Sequence, residues 1–256
     1  MTNESIRLDG LVLRSLNMDR TRDFYQDLLG AEFKPEKHGD GDLHHAARDS
    51  ERILFEVYPC KRAVTPPSPD LTFRVLRKSI IQERIQGYLE GYRVKDMNQT
   101  GEKQWEFPDP DTRKITILQD EEADDYIRLE KIGIHSLYIE DARGFYKHLF
   151  GQEAVKKNNK DLSTSYIFSL GRHKLELLPT EKSVIPASPS LIYQVSDLDD
   201  FAEKMNSTIK ETKEWPHTRE ISFPDPEGRK IYLYETIPEK KESWLDKLYQ
   251  RFIGNR

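Results

Sequence analysis

The sequence predicts an α+β fold: two tandem domains, each made of two βαβββ modules. Three observations predict it: an internal repeat, the strand and helix periodicities within that repeat, and an acidic break between its copies. Phe24-Tyr25-Gln26-Asp27-Leu28-Leu29-Gly30-Ala31-Glu32 answers Phe145-Tyr146-Lys147-His148-Leu149-Phe150-Gly151-Gln152-Glu153, an offset of 145 − 24 = 121 residues. Leu54-Phe55-Glu56-Val57-Tyr58-Pro59 answers Leu175-Glu176-Leu177-Leu178-Pro179, Ser68-Pro69-Asp70-Leu71 answers Ser188-Pro189-Ser190-Leu191, and Phe107-Pro108-Asp109-Pro110-Asp111 answers Phe223-Pro224-Asp225-Pro226-Glu227. Four echoes in the same order imply a duplicated domain.

The elements follow in order. Residues 7–15 alternate in the manner of a strand, and a helix follows in which Phe24 and Leu28, with Tyr25 and Leu29, recur at i,i+4 until Gly30 stops it. Strands are expected near 32–37, 43–48 and 52–58, before the proline-rich loop 64–69 resets the chain. The order then begins again: a strand at 71–75, a helix carrying Ile81, Ile85, Leu89 and Tyr92 on one stripe, and strands near 93–97, 104–107 and 114–118. The expected boundaries are residues 1–119 for the first domain, 120–130 for an acidic linker, 131–236 for the second domain and 237–256 for a C-terminal amphipathic helix. In that helix Ser243 caps with Asp246, and Trp244, Leu248 and Phe252 share a stripe.

Composition narrows the function classes. The 256 residues are 36% hydrophobic and 33% charged, with no apolar run near the roughly 20 residues that span a bilayer. Forty Lys+Arg against forty-five Asp+Glu leave a formal charge of −5 and no long basic run, which argues against nucleic acid as a partner. The amino terminus lacks a basic stretch followed by an apolar core. The single Cys60 cannot form an internal disulfide, and no CxxC cluster suggests structural zinc. A cytoplasmic protein that takes a small-molecule ligand, with a homodimer as an open alternative, is the expectation.

An apolar strand, a helix bearing FYxxxLG and a later strand pair joined by F-x-DPxG resemble the vicinal oxygen chelate superfamily of glyoxalases, extradiol dioxygenases and bleomycin-resistance proteins. The words here are Phe24-Tyr25…Leu29-Gly30 with Phe107-Pro108-Asp109-Pro110-Asp111, and Phe145-Tyr146…Phe150-Gly151 with Phe223-Pro224-Asp225-Pro226-Glu227-Gly228. The resemblance implies paired modules forming an open cup-shaped mixed sheet in which one residue from each of four strands, usually His, Glu, His and Glu, binds a divalent metal that acts as a Lewis acid. Carried onto this chain, those positions read Gly10, Glu56, Asp70 and Thr116 in the first copy, and Ile134, Glu176, Ser190 and Tyr232 in the second. One retained glutamate per copy implies no bound metal, and so no cofactor. Glu56, Glu176 and His135, the last reachable through a one-residue bulge, stand as weak metal candidates. His44 and His45 are adjacent, so only one can face the cup, where it would join Glu56 and Asp70.

Strand alternation sorts the remaining side chains. With Gly10 inward, Val12 and Arg14 share its face, and Asp70 brings Thr72 and Arg74. The expected first-domain cup therefore holds Arg14, Glu56, Asp70, Arg74 and Thr116, with the arginines neutralising the carboxylates. The second cup is expected to hold Ser136, Tyr138, Glu176, Ser190, Ile192, Gln194 and Tyr232. Tyr138, Glu176, Ser190, Gln194 and Tyr232 form the expected ligand site, with Glu176 lacking an arginine partner. The function expected is that of a bleomycin-resistance-like protein binding or sequestering a small molecule in this second cup. The alternatives are a metal-dependent lyase or ring-cleaving dioxygenase with an irregular ligand set, and an oligomerisation module.

Overall fold

The computed structural model describes residues 6–37, 41–64, 67–75, 78–90, 95–96, 104–119, 127–159, 162–183, 188–205, 209–215 and 217–237. The first module comprises β1 (Ile6–Ser15), α1 (Met18–Leu29), β2 (Lys34–Glu36), β3 (His44–Arg48) and β4 (Leu54–Pro59). The second runs β5 (Asp70–Val75), α2 (Lys78–Leu89), β6 (Lys95–Asp96), β7 (Gln104–Pro108) and β8 (Lys114–Gln119). The third holds β9 (Arg128–Ser136), α3 (Ile139–Phe150), β10 (Val155–Asn158), β11 (Thr164–Leu170) and β12 (His173–Pro179). The fourth holds β13 (Ser190–Val195), α4 (Leu198–Met205), β14 (Glu211–Trp215), β15 (Thr218–Pro224) and β16 (Lys230–Thr236). The βαβββ order is the expected one. Strand β9 begins at Arg128, inside the stretch expected to be linker, and the C-terminal helix expected after Ile237 lies outside the described residues.

Local chemistry sets the helix ends. Asn17 caps α1 by accepting the Arg20 backbone N–H at 3.1 Å. Gly30 then takes a left-handed conformation (φ 66°) and returns its N–H to the Gln26 carbonyl, and Gly151 closes α3 in the same way (φ 63°). The apolar stripes read from the sequence face the core: Phe24, Tyr25, Leu28 and Leu29 on α1 are buried, as are Tyr146, Leu149 and Phe150 on α3.

The two halves of each motif meet in space. The Tyr25 hydroxyl donates to Asp109 Oδ2 at 2.9 Å, and Arg113 donates to the same carboxylate at 2.6 Å. Tyr146, Asp225 and Arg229 repeat the arrangement at 2.9 and 2.7 Å. All six side chains lie in the interior, where a carboxylate requires partners of this kind. The acidic residue after each Asp-Pro caps the neighbouring helix: Asp111 accepts from the Leu16 N–H, and Glu227 from the Leu137 and Tyr138 N–H groups. Helix α1 is thereby fastened to the β7–β8 turn, and α3 to the β15–β16 turn.

That fastening corrects one expectation. Modules one and two face each other through their helical sides, where Phe24 packs on Tyr88 (ring centroids 4.6 Å) and on Phe107 (6.4 Å), so their strands do not join one sheet. The strand orders are β14-β15-β16-β13-β1-β4-β3-β2 in the first sheet and β10-β11-β12-β9-β5-β8-β7-β6 in the second. Module one is therefore completed by module four, and module two by module three. The two joins are antiparallel and similar: β1 pairs with β13 and β5 with β9, each with a register shift, after Leu8 in β1 and after Thr72 in β5. Core side chains lie between sheets and helices, with Leu11, Leu13, Leu71, Phe73, Ile132 and Ile134 among them. The intervening residues look to the opposite, open face of each sheet.

Candidate functional site

The open face of the second sheet carries a cavity of about 930 Å³. Strands β5, β8, β9 and β12 bring Asp70, Thr72, Thr116, Lys131, His135 and Glu176 to its wall. Glu176 is buried, and its carboxylate takes Lys131 on Oε2 and, on Oε1, Lys157 at 3.2 Å and the Ser165 hydroxyl at 3.0 Å. Burial pushes its pKa up, but the two ammonium groups outweigh burial and hold the carboxyl below its ordinary range. His135 Nε2 lies 3.2 Å from Asp70 Oδ1. The bulge in β9 turns Glu130 toward Arg74 and toward Lys174, whose Nζ is 3.0 Å away. Burial raises the Glu130 pKa less than these two cations lower it.

The open face of the first sheet is built from the same positions with other residues. Val12 pairs with Glu56 and with Ser190, and Ile192 pairs with Gly10 and with Tyr232. Arg14 lies over the Tyr58 ring at 5.5 Å, Gln194 donates to Thr236 Oγ1 at 3.0 Å, and Lys230 Nζ sits 4.7 Å from the Tyr232 ring centroid. His44 faces Glu56, with Nε2 3.5 Å from Oε1, whereas His45 turns to the helix side near Asp19 at 3.7 Å. One histidine per face is what alternation requires.

The faces of β1 and β5 were legible in the sequence; the face of β9 was read one residue out, since Ile134 is in the core and Lys131 and His135 look to the cavity, and the sheet each strand joins was not legible. Arg14 and Glu56 share the first sheet with Ser190, Gln194 and Tyr232, while Asp70, Arg74 and Thr116 share the second with His135 and Glu176. The expected first-domain cup and the expected ligand site are thus each divided between two sheets. Arg74 and Asp70 take Glu130 and His135 as partners. Glu176, expected to lack a partner, has two lysines. Tyr138 is 56% exposed at the start of α3 and lies outside both faces, and Ser136 is committed to Glu227 at 2.8 Å. His135 needs no bulge of its own to reach the cavity: Ile134 is a core residue, so its neighbour faces outward.

Lysine 131 was missed, although the repeat pointed to it. Adding the 121-residue offset to Gly10 gives 10 + 121 = 131, and the structure agrees, because Gly10 pairs with Ile192 as Lys131 pairs with Thr72. The superfamily ligand positions therefore read Gly10, Glu56, Ser190 and Tyr232 on the first sheet, and Lys131, Glu176, Asp70 and Thr116 on the second. Neither set fits the superfamily's metal. At Gly10 a Cβ would stand 2.8 Å from the Leu54 carbonyl oxygen and from its Cβ, so no ligating side chain can be accommodated there. At Lys131 an ammonium, which has no lone pair to give a metal, already occupies the Glu176 carboxylate.

Comparison with known proteins agrees with this fold. No family model matches the sequence, and no curated protein does. Among solved structures, glyoxalase I from Zea mays superposes with a TM-score of 0.68 at 16% identity, covering 97% of this chain and 97% of that one. A protein from Bacillus subtilis provisionally assigned as a dioxygenase superposes with a TM-score of 0.64 at 12% identity, covering 91% of this chain and 86% of its own. The chain has the vicinal oxygen chelate fold, in its two-sheet, four-module form. No helix among the described residues is long and apolar enough to cross a membrane.

Proposed function

We propose that the protein binds a polar small molecule in the second-sheet cavity, without a metal at the superfamily's ligand positions, in the cytoplasm. The observation that carries this reading is the substitution of Lys131 for a metal ligand beside Glu176, in a cavity of about 930 Å³. The lysine neutralises the glutamate as a cation would, but it cannot activate two vicinal substrate oxygens as a Lewis acid does. What remains is a wall of paired charges, hydroxyls and one imidazole. Such a surface offers directional hydrogen bonds to an oxygen-rich or zwitterionic ligand. The ligand site is thereby assigned to Thr72, Thr116, Lys131, His135 and Glu176, and Ser190, Gln194 and Tyr232 belong to the other sheet.

A thermal-shift screen of polar metabolites tests the reading. Its best hits are expected to weaken in His135→Ala and Thr72→Val and to be unchanged in Tyr232→Ala. Hits that respond to Tyr232→Ala alone would move the site to the first sheet.

The His135–Asp70 pair favours a second reading, in which the cavity belongs to an enzyme of lyase type. A carboxylate beside an imidazole sets its orientation and supports proton transfer to or from a bound substrate. Turnover of a cavity ligand that is lost in His135→Ala, with binding retained, would select this reading over sequestration. The reading as an oligomerisation module rests on the duplication and on the C-terminal helix expected at 237–256, of which residues 238–256 lie outside the described part of the chain.

A further inference from the structure

We propose that Glu36, His44 and Glu56, on the open face of the first sheet, form a binding site for one divalent transition-metal ion. The site is distinct from the superfamily's, since Glu36 is on β2 and His44 on β3, and only Glu56 occupies a superfamily position. One ligand atom from each residue lies within 4.8 Å of the others. Bonds of roughly 2.0–2.2 Å to imidazole nitrogen and carboxylate oxygen need only small rotamer adjustments from that spacing.

The imidazole is oriented for ligation. Its Nδ1 lies 3.2 Å from the Asp42 carbonyl, which can only accept, and its Nε2 lies 3.5 Å from Glu56 Oε1 and 3.3 Å from the Tyr58 hydroxyl. The ring is stacked on Tyr58, with centroids 4.1 Å apart and planes 8° apart, which fixes its plane. Nε2 and the carboxylate oxygen lie 3.5 Å apart, close to the spacing of two donors on one tetrahedral ion.

The duplication supplies an internal control. Glu36 pairs with His44 in the first sheet as Lys157 pairs with Ser165 in the second, and Glu56 pairs with Val12 as Glu176 pairs with Gly133. The equivalent triad in the second sheet is thus Lys157, Ser165 and Glu176, in which the cation is a built-in side chain. In the first sheet the two lysine positions, 131 and 157, are held by Gly10 and Glu36. Where one copy supplies its own ammonium, the other supplies a third ligand. One nitrogen and two oxygens suit zinc, cobalt, manganese or ferrous iron, and three protein ligands leave coordination positions open to solvent or to a bound molecule.

Metal binding is read directly, on the full chain dialysed against chelator and titrated with Co²⁺ and with Zn²⁺ by calorimetry and native mass spectrometry. The site predicts one saturable equivalent, with a Co²⁺ visible absorption band. His44→Ala should abolish that equivalent, and Glu36→Gln should weaken it by about tenfold or more. Glu176→Gln should leave it unchanged. Should His44→Ala fail to fold, Glu36→Gln at the exposed strand end carries the test alone. Absence of a saturable equivalent in the wild type, or its persistence at full affinity in Glu36→Gln and His44→Ala, overturns the proposal. Because the ligand cavity lies on the other sheet, this outcome and that of the ligand screen are independent.

Discussion

Replacing Lys131 with methionine removes the ammonium nearest Glu176 while keeping most of the side-chain volume, and so tests whether this lysine is what neutralises the second-sheet carboxylate. Breaking a fully buried pair costs about 3–5 kcal/mol, because the surviving charge is stranded. Here the loss is smaller, since Lys157 at 3.2 Å and Ser165 at 3.0 Å still serve the carboxylate and the Lys131 side chain is itself 26% exposed. About 1–2 kcal/mol is expected at pH 7, a melting shift of roughly 2–8 °C for a chain of this size. The sign with pH follows from the depressed pKa of Glu176. Stability from its ionised form is present above the ordinary glutamate value of 4.5 and is lost as pH falls through the lower folded value. The gap between wild type and Lys131→Met should therefore be widest near neutrality and should close in acid. The double variant Lys131→Met/Glu176→Leu should recover most of the loss, because an apolar pair replaces a charged one. Differential scanning calorimetry from pH 2 to pH 8 reads all three. Equal melting at pH 7, or a gap that does not change with pH, would refute the pairing.

Three further outcomes follow from the same geometry. Asp225→Asn should cost about 3–5 kcal/mol in urea unfolding, since it strands the buried Arg229 guanidinium and weakens the Tyr146 hydrogen bond; a loss under about 1 kcal/mol would mean that the motif is not a buried ion pair. Gly10→His should destabilise the fold and confer no metal binding at the superfamily position, because any Cβ there meets the Leu54 backbone at 2.8 Å; stoichiometric metal gained by this variant would contradict the close approach. Gly30→Ala should cost about 1 kcal/mol through its left-handed conformation at φ 66°, read as a lowered urea midpoint with unchanged slope; an unchanged midpoint would mean that the helix end relaxes.

Much of this architecture can be read from residues that repeat. The helix word and the turn word recur together because they are one structure: Tyr25 reaches Asp109, and Tyr146 reaches Asp225, across 84 and 79 residues. Alternation likewise placed Leu11 and Leu13 inward to the core and Thr72 toward the cavity, because a period of two is a property of the strand alone. Which strand edges join is a tertiary choice. Nothing in β1 or β5 states that the one will take β13 and the other β9, and this choice decides that Glu56 and Asp70 never share a cup. Lys131 could have been found by keeping the 121-residue offset constant. Its role could not, because Lys157 and Ser165 reach Glu176 only through the register of β10, β11 and β12.

The most direct test of the account is calorimetric titration of the best ligand from the screen into chelator-treated wild-type protein and into Lys131→Met and His135→Ala. A second-sheet site that works without metal predicts an unchanged dissociation constant after chelation, and about tenfold weaker binding in each variant. Binding that disappears on chelation, returns with added metal and is indifferent to Lys131 and His135 would contradict it.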